Sequence, residues 1–277
     1  MPRNRDTSVV FASPHSGAEY PHSMLHKTLL DGTAIRSSED AFVDHLFDLA
    51  PAVGAPLLAA RAPRAYVDLN RACDELDPAL IAGVRRGVNN PRVASGLGVI
   101  PRVVAGGRAI YRGKLSLDEA HGRIRDVWRP YHDALYDLLH SNIAEFGQAI
   151  LIDCHSMPHE AIESLSHHPG GRPDVVLGDR FGASASRDVI EQVESAFTAA
   201  GLKVARNAPF AGAYIAQTYG HPTRGQHVVQ IEIDRALYMD EQNITPHPGF
   251  ADFKRVIDGI VAQLAGIGRV EMPLAAE

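Results

Sequence analysis

Six short, mainly apolar runs recur along this chain, with helix-patterned segments between them. They span residues 8–12, 56–60, 65–69, 149–154, 174–177 and 228–233. Runs this short, bounded by turn residues, predict strands buried on both faces. Between them, Ser38 precedes Glu39 and Asp40, and Phe42, Val43, Leu46, Phe47 and Leu49 then give one apolar helix face. Ser116 and Glu119 have the form of a capping box, followed by Ile124, Val127, Trp128, Tyr131, Leu135, Leu138 and Leu139 at helical spacing. Pro130 is expected to kink or split that helix. Residues 188–200 stop at Gly201, and 250–264 form a last amphipathic helix behind Pro248. Such alternation predicts an α/β fold of three layers, with the sheet between helices.

Composition narrows the function. Lys plus Arg is 27 and Asp plus Glu is 33, giving a net charge of −6, the wrong sign for a nucleic-acid binder. Apolar residues are 45% and charged residues 22%, which is ordinary globular composition. There is no internal repeat or low-complexity linker. A single domain over 1–277 is expected, with 1–7 and 270–277 frayed. Two cysteines, Cys73 and Cys154, exclude a disulfide-stapled fold. The N-terminus lacks the apolar core of a signal peptide, and the apolar stretch 49–60 is too short to span a bilayer. A cytoplasmic protein without membrane partners is expected. Three loop-rich segments, 73–107, 167–174 and 207–226, are long enough to serve as lids or binding loops.

In an open α/β sheet, ligands bind beyond the carboxyl ends of the strands. There this chain places Ser-Pro-His15-Ser-Gly, Asp68-Leu-Asn70-Arg71, Asp153-Cys-His155-Ser156 and Glu232-Ile-Asp234-Arg235. Two histidines with a carboxylate make a catalytic zinc set. His15 and His155 are the natural pair, and Glu19, Glu39 and Asp40 are candidates for the third ligand. Glu232 ends an apolar strand, where a carboxylate is either functional or paired, for instance with Arg235. Asn70 and Arg71 offer an amide and a planar fork for a carboxylate, or else bridge to Asp68 or Asp74. Cys154 and the serines beside the histidines are poor nucleophile candidates, because neighbours along a strand point to opposite faces. No G-x-S-x-G elbow and no phosphate-binding loop occurs. The Trp128–His132 stretch reads as helix packing.

The segments PHSG (14–17), SSEDAFVDHL (37–46), RAYVDLNR (64–71), IYRGKLS (110–116), WRPYH (128–132), DCHSMP (153–158), GDRFG (178–182), PFAGAYIAQTYGHP (209–222) and QIEIDRALYMDE (230–241) resemble the N-formylglutamate amidohydrolases, in order over about residues 8–245. The resemblance implies a zinc-carboxypeptidase-like fold with a mixed central sheet. It implies one Zn²⁺ held by His15, His155 and Asp40, with Asp68 orienting His15. Ala18 stands where the carboxypeptidases have a glutamate ligand, so Glu39 and Glu19 stay open as alternatives to Asp40. Glu232 would be the general base, and Asn70 and Arg71 would hold a substrate carboxylate. Arg64 or Arg112 would polarise the amide oxygen, and Tyr214 and Tyr219 would close over the substrate. The implied activity is hydrolysis of N-formyl-L-glutamate to formate and L-glutamate, the last step of a histidine-degradation route. Hydrolysis of another N-acyl amino acid, a carboxypeptidase activity, or a non-catalytic carboxylate-binding role are the alternatives.

Overall fold

The computed structural model describes residues 1–2, 4–85, 90–167 and 171–269, with the side chains of 164–167 left aside. Its strands are β1 (Val9–Ser13), β2 (Leu57–Ala59), β3 (Ala149–Met157), β4 (Val175–Gly178), β5 (Val204–Arg206), β6 (Gln226–Asp234) and the hairpin pair β7 (Met239–Asp240) and β8 (Thr245–Pro246). The helices are α1 (His22–Leu25), α2 (Val43–Leu46), α3 (Pro91–Ala94), α4 (Leu117–Arg123), α5 (Arg129–Phe146), α6 (Arg187–Ala199), α7 (Tyr214–Tyr219) and α8 (Phe250–Ile267).

Six strands form one sheet in the order β2-β1-β3-β6-β4-β5. Only the β4–β6 pair is antiparallel, so the sheet is mixed. β3 is buried along its whole length, which is why its sequence reads as a continuous apolar run rather than an alternation. One face of the sheet, through Phe11, Ile152 and Ile231, joins a core with α2, α6 and α8. The other, through Val10, Leu151 and Val228, packs against α4, α5 and α7. This is the expected three-layer α/β arrangement.

Local signals explain several boundaries. Ser116 Oγ accepts from Glu119 N at 3.1 Å and starts α4, as the capping pattern predicts. Gly147, at φ 73°, ends α5 in the left-handed conformation that glycine adopts without strain. Among the described residues no helix is long and apolar enough to cross a membrane.

Four expectations need correction. Pro130 does not split its helix. The turn Ile124–Trp128 just before it is a π-helix, and this wider turn makes room for the proline ring as α4 runs into α5. The helix expected from Ser38 is cut to Val43–Leu46, because Phe42 sits at φ 66° and Ser38 to Asp40 turn toward the sheet end. Residues 65–69 form no strand. Their N–H groups bond to Pro63 O and Val99 O, and carbonyls along 66–71 are taken by side chains of the α4–α5 helix. At the N-terminus, placed among frayed residues, Thr7 is buried and its hydroxyl donates to Ala265 O at 2.6 Å. Residues 270–277 lie outside the described set, as do 86–89 and 168–170 within two of the long loops.

Candidate active site

The sheet face that packs on α5 changes character at its carboxyl end. Along β3 the residues on that face run Leu151, Asp153, His155, and along β6 they run Val228, Gln230, Glu232. The register pairs Asp153 with Gln230 and His155 with Glu232. An apolar layer thus gives way to four polar side chains over two residues of each strand. His15 joins them from the turn after β1. That turn passes so close to the neighbouring loop that a Cβ on Gly17 would lie 2.3 Å from Ala62 O. Asp40 is tied in through its N–H, which donates to His15 O at 3.0 Å.

His15, Asp40 and His155 converge, with ligand atoms within 4.8 Å of one another, all buried. Asp40 Oδ2 lies 3.4 Å from His15 Nδ1 and 2.9 Å from His155 Nδ1. On the far side of each ring stands another carboxylate. Asp68 Oδ1 is 2.8 Å from His15 Nε2, and Asp153 Oδ1 is 3.1 Å from His155 Nε2. A carboxylate accepts only, so Nε2–H of His15 donates to Asp68 and leaves Nδ1 with a lone pair. That Nδ1 is buried and has no hydrogen-bond partner among the described residues. Two imidazoles with carboxylates beside them and one shared carboxylate oxygen are a donor group that could hold a metal ion.

The charges around the cluster follow from burial and pairing. Burial pushes the Asp68 carboxyl up, but Arg64 and His15 outweigh it and hold Asp68 well below the usual carboxylate range. Burial likewise opposes Asp40, but His15 and His155 beside it override burial and hold its carboxyl well below the usual range. Arg235 Nη2 adds a 3.0 Å bond to Asp40 Oδ1 and its Nε one of 3.1 Å to Ser156 Oγ. His155 is held well above its usual value, because Asp153 and Asp40 outweigh its burial. Glu232 moves the other way: burial pushes it up to about 7, although His155 and nearby arginines pull it down. Its Oε1 accepts from Gln230 Nε2 at 2.8 Å.

The cluster opens into a cavity of about 620 Å³ lined by Arg64, Asn70, Arg71, Arg92, Gln230 and Glu232, among others. Two of the three long loops form its walls, through residues 92–107 and 209–213. Arg71 donates from Nε to Leu97 O at 3.0 Å and from Nη1 to Asn70 O at 2.7 Å. Its Nη2 has no partner among the described residues.

The family model described as N-formylglutamate amidohydrolase matches residues 7–239. The chain belongs to this family. Two curated relatives are N-formylglutamate deformylases. That of Pseudomonas aeruginosa is 30% identical over 92% of this chain and 90% of its own length. That of Pseudomonas putida is 29% identical over 84% of this chain and 82% of its own. The crystal structure of an N-formylglutamate amidohydrolase from Ralstonia eutropha superposes with a TM-score of 0.90 at 34% identity, covering 97% of this chain and 96% of that one. A gene product of Agrobacterium tumefaciens, at 16% identity and a TM-score of 0.61, shares the fold.

In this N-formylglutamate amidohydrolase family member, not every residue singled out from the sequence reaches the cavity. Arg112 is exposed and outside the cavity wall, so of the two candidate arginines only Arg64 lines the cavity. Glu19 is exposed on Arg61, and Glu39 is turned onto Tyr20 and Arg36, so Asp40 is the one of the three that stands with His15 and His155. Tyr214 and Tyr219 do not close over the cavity. They pack behind it, around His132. Asn70 does line the cavity, with Oδ1 accepting from Ile215 N at 2.8 Å and Nδ2 standing 3.3 Å from His155 Nε2. Cys73 and Cys154 are unpaired.

Asp153, which the sequence places at a strand end without a role, stands beside His155. The alternation of a strand points to that contact, since Asp153 lies two residues before His155 on the same face. It is fully buried, and neither oxygen has a hydrogen-bond partner among the described residues. A buried carboxylate is costly, so its contact with His155 is what justifies its place. Replacing Asp153 with Asn is expected to weaken divalent-metal affinity by about 10- to 100-fold, the usual effect of losing a carboxylate behind a metal-binding imidazole. The metal-free variant is expected to melt no lower than the metal-free parent. Titration of metal-free protein with Zn²⁺, alongside thermal unfolding, checks both.

Proposed function

We propose that the chain is a zinc-dependent amidohydrolase that converts N-formyl-L-glutamate and water to formate and L-glutamate. The observation that carries this reading is the buried His15–Asp40–His155 cluster, opening with Glu232 into a cavity whose wall also presents Arg71. The lone-pair nitrogen of His15, buried without a hydrogen-bond partner among the described residues, suits a cation. Mixed nitrogen and oxygen donors, three in number, suit zinc with a position left open. When bound there, the ion would supply Lewis acidity toward an oxygen and lower the pKa of a water.

The chain's own groups do the rest. Glu232 takes the proton of the attacking water as the new C–O bond forms at the formyl carbon. It then delivers that proton to the nitrogen as the C–N bond breaks and glutamate leaves as the amine. Arg64, held by Asp68 through a 3.0 Å bond from Nε, keeps its remaining donors for the oxygen that gains charge. Arg71 meets a carboxylate of the substrate with Nη2 and the free edge of the guanidinium. Asn70 supports the turn that carries Arg71. A cytoplasmic setting suits the two free thiols.

The test is a hydrolysis screen with purified protein over N-formyl, N-acetyl and N-succinyl amino acids. Hydrolysis of N-formyl-L-glutamate, followed as release of the free amino acid, should be faster than that of every other member. Faster turnover of an N-acetyl or N-succinyl amino acid would replace the substrate in this reading and keep the chemistry.

A further inference from the structure

The segment 66–71 carries Asp68, Asn70 and Arg71, yet it pairs with no strand. One helix face holds three of its carbonyls. Arg123 Nη1 donates to Tyr66 O at 3.2 Å, His132 Nε2 to Leu69 O at 2.9 Å, and Trp128 Nε1 to Arg71 O at 2.9 Å. Leu69 and Arg71 flank Asn70, so the turn is clamped on both sides of the residue that α7 holds through Ile215 N. From the clamped backbone, the Arg71 guanidinium folds back on Leu97 O and Asn70 O and leaves Nη2 toward the cavity.

The π-helical turn explains how these three donors reach one line. In a straight α-helix, residues five apart point about 140° away from each other. In a π-turn, whose bonds run from i to i+5, residues five apart come close to alignment. Ile124–Trp128 is such a turn, and it lies between Arg123 and Trp128. His132, four residues beyond Trp128, continues the line. Its bond pattern is also defined. A carbonyl only accepts, so Nε2 carries the proton and Nδ1 accepts from Tyr219 OH at 2.9 Å. Burial holds its pKa down at about 4, which keeps the ring neutral. Trp128 lies against it with ring centroids 4.0 Å apart.

We propose that Trp128 and His132 are positioning residues: they fix the Leu69–Arg71 turn so that Arg71 presents its guanidinium to a substrate carboxylate in one orientation. The inference rests on the carboxylate role proposed above for Arg71. It assigns the π-turn a purpose, the alignment of donors five and four residues apart behind that turn.

The experiment is a double-mutant cycle on formate release from N-formyl-L-glutamate, with wild-type activity measured first. Trp128→Phe removes the N–H and keeps an aromatic ring. It should lower kcat/KM by about tenfold, mainly through KM, the scale for orphaning one buried acceptor. In an Arg71→Ala background the same change should cost less than about twofold, because the group it positions is gone. His132→Gln, whose amide can donate to Leu69 O, should retain more activity than His132→Leu at matched Tm. Equal losses from Trp128→Phe in both backgrounds, or no loss in either, would overturn the inference. If Trp128→Phe does not fold, the His132 pair decides, and equal activities would overturn it. An inactive wild-type protein would overturn the assigned activity and this inference together, whereas additive losses in an active protein overturn the inference alone.

Discussion

Glu232→Gln should lower kcat by at least about 10²-fold, the lower end of general-base contributions, while leaving metal binding intact. The amide keeps the shape and can still meet Gln230, whose Nε2 now donates to Glu232 Oε1 at 2.8 Å. What it loses is the proton acceptor. The position is suited to proton transfer, because the carboxyl is buried and burial pushes its pKa up to about 7. The sign of the pH effect follows. A base works in its unprotonated form, so activity should fall as pH drops through the pKa of Glu232. A cation bound at His15, Asp40 and His155 favours the charged carboxylate and moves that midpoint below 7, toward the ordinary carboxyl value of about 4.3. The acid limb of kcat/KM should therefore lie between these values and vanish from the residual activity of Glu232→Gln. Near-normal kcat in the variant would reduce Glu232 to a structural partner of Gln230.

Arg71→Ala should reduce kcat/KM for N-formyl-L-glutamate by roughly 30-fold to several thousand-fold. A charge-assisted pair truncated on one side in a partly desolvated pocket is worth on the order of 2–5 kcal/mol. The side chain is buried apart from its cavity edge, and two of its donors already serve Leu97 O and Asn70 O. Like charge on Arg92 lies in the same cavity wall. Burial, with Arg64 and Arg92 adding to it, lowers the Arg71 pKa despite Asp68, so an anion is the complement this corner lacks. The control is a substrate with one carboxylate amidated, and both monoamides should be tried. The monoamide that lacks the matching carboxylate should lose much less on Arg71→Ala. Equal losses on all three substrates would mean that Arg71 supports the fold or the metal centre instead.

The strands of this fold were legible because burial on both faces writes itself as a continuous apolar run. β1, β3, β4 and β6 carried that mark, and β2, only partly buried at one sheet edge, was apolar in sequence as well. The edge strand β5, three residues long and only partly buried, carried none. Residues 65–69 carried the mark without being a strand. Their apolar side chains do enter the core, but side chains of the α4–α5 helix take the carbonyls that a neighbouring strand would have taken. Residue types decide burial, and here a partner distant in sequence decides the hydrogen bonding.

The site shows the same division. His15, His155 and Glu232 stand just beyond or near the ends of apolar runs, where the α/β rule places ligands. Asp40 was reachable through the family resemblance, because it sits in a segment that reads as a helix start and is bent out of that role at Phe42. Arg112 and Arg64 were indistinguishable as letters, and only folding sends one to the surface and the other to the cavity. Trp128 and His132 looked like core packing. Their polar ends, which hold the turn before the cavity, depend on a π-turn that helical periodicity does not reveal.

Formate release from N-formyl-L-glutamate by metal-stripped protein, with Zn²⁺ added back in steps, tests the central claim most directly. The stripped protein should be inactive, and activity should return with about one ion per chain, the content of a single three-ligand site. His155→Ala, measured in the same way, should stay inactive at that stoichiometry. Full activity in stripped protein, or full recovery of His155→Ala by one equivalent of Zn²⁺, would contradict a metal centre built on His15, Asp40 and His155.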